Sequence, residues 1–165
     1  MSPQNYAVRP ALVKDAAGIH DLLTKYSDQE LLLPRTINEI LPQIPQFLVI
    51  EDQNKIIACV SLEIFSVELG EVRSLAVDPD YTKQQFGAKL LHAVESYARA
   101  LGLSKMMALT YVEDFFHKYG YETVEMTSLP EKVWRVCVKC PRFHHCDEIP
   151  VLKILQEPVG FSCFE

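Results

Sequence analysis

The stretch that most limits what this chain can become is "GEVRSLAVDPDYTKQQFGAKLLHAVESYARALG", residues 70–102. Its hydrophobic period changes once along its length. In "GEVRSLAV", Val72, Ser74 and Ala76 alternate with Arg73, Leu75 and Val77, a strand pattern with both faces partly covered. "DPDY" is turn chemistry. From Phe86 onward, Leu90, Leu91, Val94, Tyr97, Ala98 and Leu101 recur at helical spacing, and Gly102 suits the C-terminal cap. A strand that feeds a long amphipathic helix needs a sheet for that helix to cover. The chain is therefore α/β.

The flanking segments extend the sheet on both sides. "YAVRP" reads as a short first strand, and "LVKDAAGIHDLLTKYS" as a helix with Ala16, Ile19, Leu22 and Leu23 on one face. Thr36 and Glu39 have capping-box spacing for a second, short helix that Pro42 and Pro45 end. "FLVIED", "QNK" and "IIACVSLEIF" read as a hairpin. After the long helix come a strand "SKMMALT", a short helix "VEDFFHKYG" stopped by Gly120, a strand "YETVEM" and a last strand "EIPVLKIL", in which Pro150 limits the early ladder. The order is strand, two helices, three or four strands, helix, strand, helix, two strands.

Composition narrows the function classes. At 165 residues the chain suggests one domain, and its 48% hydrophobic and 23% charged residues are ordinary for a soluble protein. No apolar run approaches the ~18 residues that a membrane span needs. "MSPQNYAVRP" lacks the basic and apolar regions of a signal peptide, which places the protein in the cytoplasm. The net charge of −6 argues against nucleic acid as a partner, which needs clustered Lys and Arg. It leaves room for an anionic small ligand, because a few backbone N–H groups make a local anion site.

The helix that begins near Phe86 offers such groups. Its first N–H groups lack internal partners, and the dipole puts partial positive charge there. Gly87 is the one glycine of the junction, where a phosphate-cradling loop usually holds several. The plain alternative is an ordinary strand-to-helix connection.

The junction resembles the acetyl-CoA loop of the GNAT N-acetyltransferases, whose pattern is Q/R-x-x-G-x-G/A. In register, Thr82 takes the Gln/Arg position, Gln85 the first glycine, and Gly87 or Ala88 the end, so two expected residue types are missing. "LLLPRTINEI", "QFLVIEDQNKIIACVSLEIF", "GEVRSLAVDPDY" and "LGLSKMMALTYVEDFFHKYGYETVEMTSLPEKVW" follow the order of the acetyltransferase domain of N-acetylglutamate synthases. The resemblance runs from about Tyr6 to Leu155 and is to the short, stand-alone form without an amino-acid-kinase domain.

The resemblance implies a GNAT fold of α/β (α+β) type: one domain with a mixed central sheet, flanking helices and a splayed parallel strand pair, "GEVRSLAV" and "SKMMALT". It implies acetyl-CoA as co-substrate. Its pantetheine would lie along Leu75, Ala76 and Val77, and its diphosphate on Thr82, Lys83, Gln84, Gln85, Phe86, Gly87 and Ala88. An N–H near Leu75 would polarise the thioester carbonyl. The reaction implied is transfer of acetyl to the α-amine of L-glutamate, or of glutamine, the entry step of arginine synthesis. Glu71 is the candidate general base, its alternative being a solvated acid beside a turn. Phe115 and Phe116 stand where a tyrosine acid is common. Tyr111 and Tyr119 are fallbacks, and Tyr119 and Tyr121 also suit the core. Arg35 and Arg73 are the candidates for holding substrate carboxylates, with Lys132 and Arg135 behind them.

Two alternatives stay open: the same fold acting on another amine, such as a protein N-terminus, and a non-catalytic acyl-CoA-binding domain. A homodimer is also left open. "CVKCPRFHHCDE" brings Cys137, Cys140 and Cys146 close to His144 and His145, a tetrahedral-zinc set by residue type but not by spacing. Reduced structural thiols are the expectation, and no metal is expected.

Overall fold

The computed structural model describes residues 6–27, 35–129 and 148–155, and its elements follow the order expected from the sequence. They are β1 (Val8–Pro10), α1 (Ala16–Ser27), α2 (Ile37–Ile40), β2 (Phe47–Asp52), β3 (Lys55–Ile64), β4 (Leu69–Val77), α3 (Phe86–Ala100), β5 (Lys105–Thr110), α4 (Glu113–His117), β6 (Glu122–Thr123) and β7 (Ile149–Ile154). The strands order β1-β2-β3-β4-β5-β7-β6 in one mixed seven-stranded sheet. The described chain packs as two units: residues 6–27, 35–63 and 72–97, and residues 64–71, 98–129 and 148–155.

In the first unit, Gln53 and Asn54 join β2 to β3 with φ of 50° and 65°. Two left-handed residues are what a two-residue hairpin connection needs to match strand twist. Lys55, read from the sequence as turn, is already strand and pairs with Asp52. β1 adds to the outer edge of β2 from Val8–Ile50 to Pro10–Leu48, an edge position that tolerates a proline.

The helical period of α1 buries Ala16, Ile19, Leu22 and Leu23 in a core with Ile40, Phe47, Val49 and Cys59. Each fully buried Leu or Ile contributes roughly 1.5–3 kcal/mol. α1 lies close on the hairpin: a Cβ at Gly18 would come within 2.8 Å of the Ile56 side chain, so only glycine fits there. Thr36 caps α2, accepting from the Glu39 N–H at 3.1 Å. α2 ends at Ile40, ahead of Pro42 and Pro45, and the path continues as a 3-10 segment, Leu41–Gln46, that holds both prolines.

In the second unit, β4 pairs in parallel with β5 at Leu69–Lys105, Gly70–Met106 and Glu71–Met107, where the ladder stops. β5 pairs along its whole length with β7, from Lys105–Ile154 to Thr110–Ile149. Pro150 therefore sits inside a ladder, opposite Leu109, and its carbonyl accepts from Val124 N–H at 3.0 Å. The expected strand "YETVEM" shortens to Glu122–Thr123, because Met126–Ser128 turn into a 3-10 segment. α3 and α4 both end as expected at left-handed glycines, Gly102 (φ 93°) and Gly120 (φ 95°). In each, the next two N–H groups bond back to the last turn: Leu103 to Ala98 and Gly102 to Arg99, Tyr121 to Phe116 and Gly120 to His117. Phe65, Leu69, Met107 and Leu129 form this unit's core.

Candidate active site

The strand read as a simple alternation is broken once. Ser74 has φ 53°, a left-handed residue within β4, and Arg73, Ser74 and Leu75 are all half-buried. β3 holds this irregular backbone through side chains: Ser61 Oγ donates to the Arg73 carbonyl at 3.2 Å and Cys59 Sγ to the Ser74 carbonyl at 3.3 Å. Burial pushes the Cys59 thiol up to about 12, so it stays a thiol and a donor. Beyond Ser74, Ala76 is buried in the core, and the Val77 carbonyl accepts the hydroxyl of Tyr26.

Asp78 ends the strand and governs the turn after it. Its own N–H donates to the Ile57 carbonyl at 2.7 Å, and its carboxylate caps Asp80 N–H at 3.0 Å. Lys25 at 2.9 Å and Lys55 at 3.2 Å bond the same carboxylate. Burial raises its pKa, but the hydrogen bonds from Lys25, the Asp80 N–H and Lys55 outweigh that and hold it at about 2. The expected turn becomes a full 3-10 segment, Pro79–Gln84.

Gln85 then adopts a left-handed conformation, φ 59° and ψ 29°, and its carbonyl accepts the first helical bond of α3, from Lys89 N–H at 3.2 Å. By helix geometry the N–H groups of Phe86, Gly87 and Ala88 precede the internal ladder. No acidic side chain lies in the first turn of α3. The Phe86 ring is buried between Tyr6, edge-on at 5.2 Å, and Tyr81 at 6.3 Å, so only its backbone can meet a ligand. Thr82 and Gln84 are exposed, with Thr82 Oγ1 donating to the Pro79 carbonyl at 3.3 Å; the side chain of Lys83 lies outside the described residues.

Arg35 reaches Ser74. Its Nη1 donates to Ser74 Oγ at 2.7 Å, its Nη2 to Gln43 Oε1, and its Cζ lies 5.4 Å from the centre of the Phe47 ring. Burial disfavours its charged form, and the Arg73 cation nearby adds to this. Arg73 itself meets Glu63 at 3.8 Å. The two arginines singled out in the sequence thus share one electrostatic neighbourhood. Gln43, Ser74 and Cys59, which build it, carried no signal: none is a glycine, a charged residue or part of a turn motif.

In the second unit, Glu71 is 6% exposed and is the third residue of β4, inside its ladder with Met107. A solvated acid beside a turn is therefore not what it is. Phe116 is buried edge-on to Tyr121 at 5.2 Å, and Phe115 meets Tyr119 at 5.3 Å. Tyr121 is a core residue, with Lys153 Nζ 5.6 Å from its ring centre. Tyr111 is exposed.

A separate cleft of about 280 Å³ lies between α1 and the hairpin. Lys14, Lys25 and Lys55 line it, but so do Asp15, Asp21 and Asp78, and its charges compensate one another. Among the described residues, no three His, Cys, Asp or Glu side chains gather as a metal site, and no helix is long and apolar enough to cross a membrane. Cys137, Cys140, Cys146, His144, His145, Lys132 and Arg135 lie outside the described residues.

Three kinds of likeness converge on this geometry. Residues 16–121 match the acetyltransferase (GNAT) family. The "uncharacterized N-acetyltransferase CT2212" of Chlorobaculum tepidum is 31% identical over 155 residues, which are 94% of this chain and 100% of that protein. An amino-acid acetyltransferase of Pseudomonas syringae pv. syringae is 37% identical over 125 residues, 74% of this chain but 29% of that protein. The chain thus spans less than a third of the length of such relatives. N-acetylglutamate synthase from Neisseria gonorrhoeae, solved with coenzyme A and N-acetyl-glutamate, superposes with a TM-score of 0.85 at 24% identity, over 94% of this chain and 36% of that one. Rv2747 from Mycobacterium tuberculosis, solved with CoA and NLQ, superposes with a TM-score of 0.80 at 25% identity, over 91% of this chain and 99% of that one.

Proposed function

Because the chain belongs to the acetyltransferase (GNAT) family and has its fold, we propose that it transfers acetyl from acetyl-CoA to the α-amine of L-glutamate, the reaction that opens arginine synthesis. The observation that carries the glutamate reading is the pair of neighbouring guanidinium groups. Burial and the Arg73 charge both disfavour the Arg35 cation, and a bound carboxylate relieves both. A substrate with two carboxylates suits two such cations. The amino-acid acetyltransferases among its relatives support the same substrate class.

The roles divide along the chain. The N–H groups of Phe86, Gly87 and Ala88 meet the diphosphate, with Thr82, Lys83, Gln84 and Gln85 as the approach, and no carboxylate in the first turn of α3 opposes it. The backbone of Leu75, Ala76 and Val77 runs beside the pantetheine, and an N–H near Leu75 polarises the thioester carbonyl. Glu71 takes a proton from the α-ammonium, directly or through water. The freed amine attacks the thioester carbon, the adduct's nitrogen gives up its second proton to water, and as the adduct collapses the C–S bond breaks and its electron pair leaves on the coenzyme A thiolate. Phe115 and Phe116 cannot protonate that thiolate, which is a good enough leaving group to depart unassisted.

The test is coenzyme A release against a panel of amino acids. Release with L-glutamate and not with L-aspartate is expected. Release with other amines alone would move the substrate. Acetyl-CoA binding without any release would leave an acyl-CoA-binding domain.

A further inference from the structure

Among the described residues, Arg35 is held in place but not neutralised. Its side-chain hydrogen-bond partners, Ser74 Oγ and Gln43 Oε1, are neutral oxygens on opposite nitrogens of the guanidinium. The Phe47 ring, itself fully buried, backs the group at 5.4 Å. The carboxylates that act on it, Glu63 and Glu39, do so only through the field, and the field of Arg73 opposes them. A structural arginine of this kind is normally closed by a bidentate carboxylate. Two of the five Arg35 N–H donors fix the plane, and among the described residues no hydrogen-bond acceptor takes the other three.

Holding the oxygen acceptors in position has a visible cost. Ser74 presents its Oγ from a left-handed backbone that serine rarely adopts, inside a strand that has no need of it. Its carbonyl is fixed in turn by Cys59. Gln43 sits in the 3-10 extension that carries Pro42 and Pro45, a stiff segment on which an amide stays where it is put.

Resting on the reading of Arg35 as a carboxylate ligand, we infer that Gln43 and Ser74 are positioning residues that orient the Arg35 guanidinium while leaving its charge for the substrate, so that the neutrality of the Gln43 side chain sets carboxylate selectivity. A glutamate at position 43 has the same shape and a better bond to Arg35, yet it closes the site with an internal ion pair. A purely structural role predicts the opposite, because a stronger bond then does the job better.

Ligand-observed NMR titration of L-glutamate, and of glutarate, which has no amine to acetylate, reads this without turnover. With coenzyme A present, Gln43→Glu is expected to weaken both ligands at least tenfold while its melting temperature holds or rises. Ser74→Gly removes the Oγ and the left-handed strain together, so binding should fall several-fold while melting holds or rises; it decides the matter if Gln43→Glu does not fold. Binding by Gln43→Glu equal to wild type, binding and melting that fall together in Ser74→Gly, or a wild type that binds neither ligand overturns the inference. A wild type whose glutarate binding depends on Gln43 but that releases no coenzyme A with L-glutamate overturns the acetylation reading alone. Wild type that acetylates L-glutamate with Gln43→Glu unimpaired overturns this inference alone.

Discussion

Gln53 and Gln85 are the same residue in the same backbone conformation, with φ of 50° and 59°. One lies in the β2–β3 turn and the other at the entrance to α3. In the hairpin the conformation is demanded by the connection, and Asn54 shares it at 65°. At the helix entrance nothing local demands it, since a residue there is ordinarily extended. A left-handed non-glycine residue costs about 1–2 kcal/mol in either place. In the turn the paired strands on both sides offset that cost, so the strain has a structural reason. At Gln85 it aims three N–H groups out of the end of α3, in the register where a glycine is expected. Strain alone thus does not mark function; strain that the local chain does not need is what the proposed site would account for. Ser74 is a second case of the same kind, in a strand that could have run straight.

The widest separation between the two glutamines should come from a β-branched side chain. Gln53→Val and Gln85→Val each place valine at positive φ and should each lose about 1–2 kcal/mol in chemical denaturation. Only Gln85→Val should also raise the acetyl-CoA KM, tenfold or more, because the backbone it distorts is the one proposed to meet the diphosphate. A KM that moves in both variants, or in neither, breaks the distinction.

Asp78 joins the two regions, for its carboxylate holds Lys55, next to the hairpin turn, and the Asp80 N–H, on the way to Gln85. Asp78→Asn should cost roughly 1–2 kcal/mol at pH 7, discounted for the solvent around both lysines. The sign of its pH dependence comes from its pKa of about 2 against an ordinary 3.8. The folded protein binds that proton less readily than the unfolded chain does. The contribution is therefore complete above the ordinary value and is lost as pH falls through about 2. Denaturation curves at several pH values should show the wild type losing more stability than Asp78→Asn in that window. Parallel losses would mean that the lysines do not tie the turn to the junction.

The sequence made the elements legible because their signals are local. Thr36 with Glu39, Gly102, Gly120 and the change of period at Phe86 each specify their own few residues, and all four behave as read. The proline of β7 and the short β6 went differently because their pairing depends on distant partners. The left-handed backbone at Ser74 was invisible for a related reason. Serine has no special licence for positive φ, and what fixes it there, Cys59, Arg35 and β3, lies far away in the chain. Arg35 and Arg73 were singled out by chemistry and resemblance, and the fold puts them within one another's field. Gln43 was not, since a glutamine between two prolines announces nothing until the fold sets it against a guanidinium.

Glycine at the two left-handed positions gives the smallest effect and the cleanest comparison. Each replacement removes the steric cost of a Cβ at positive φ, and each frees the unfolded chain by roughly 0.5–1 kcal/mol, which offsets much of the gain. Both variants should therefore stay within about 0.5 kcal/mol of wild type and of each other. They should part only in ligand binding: Gln85→Gly restores the glycine of the family pattern and should keep or lower the acetyl-CoA KM, while Gln53→Gly leaves it unchanged. A stability gain at Gln85 that exceeds the one at Gln53 by more than about 1 kcal/mol would show that the entrance to α3 stores strain beyond its φ, and the two sites would then not be equivalent in cost.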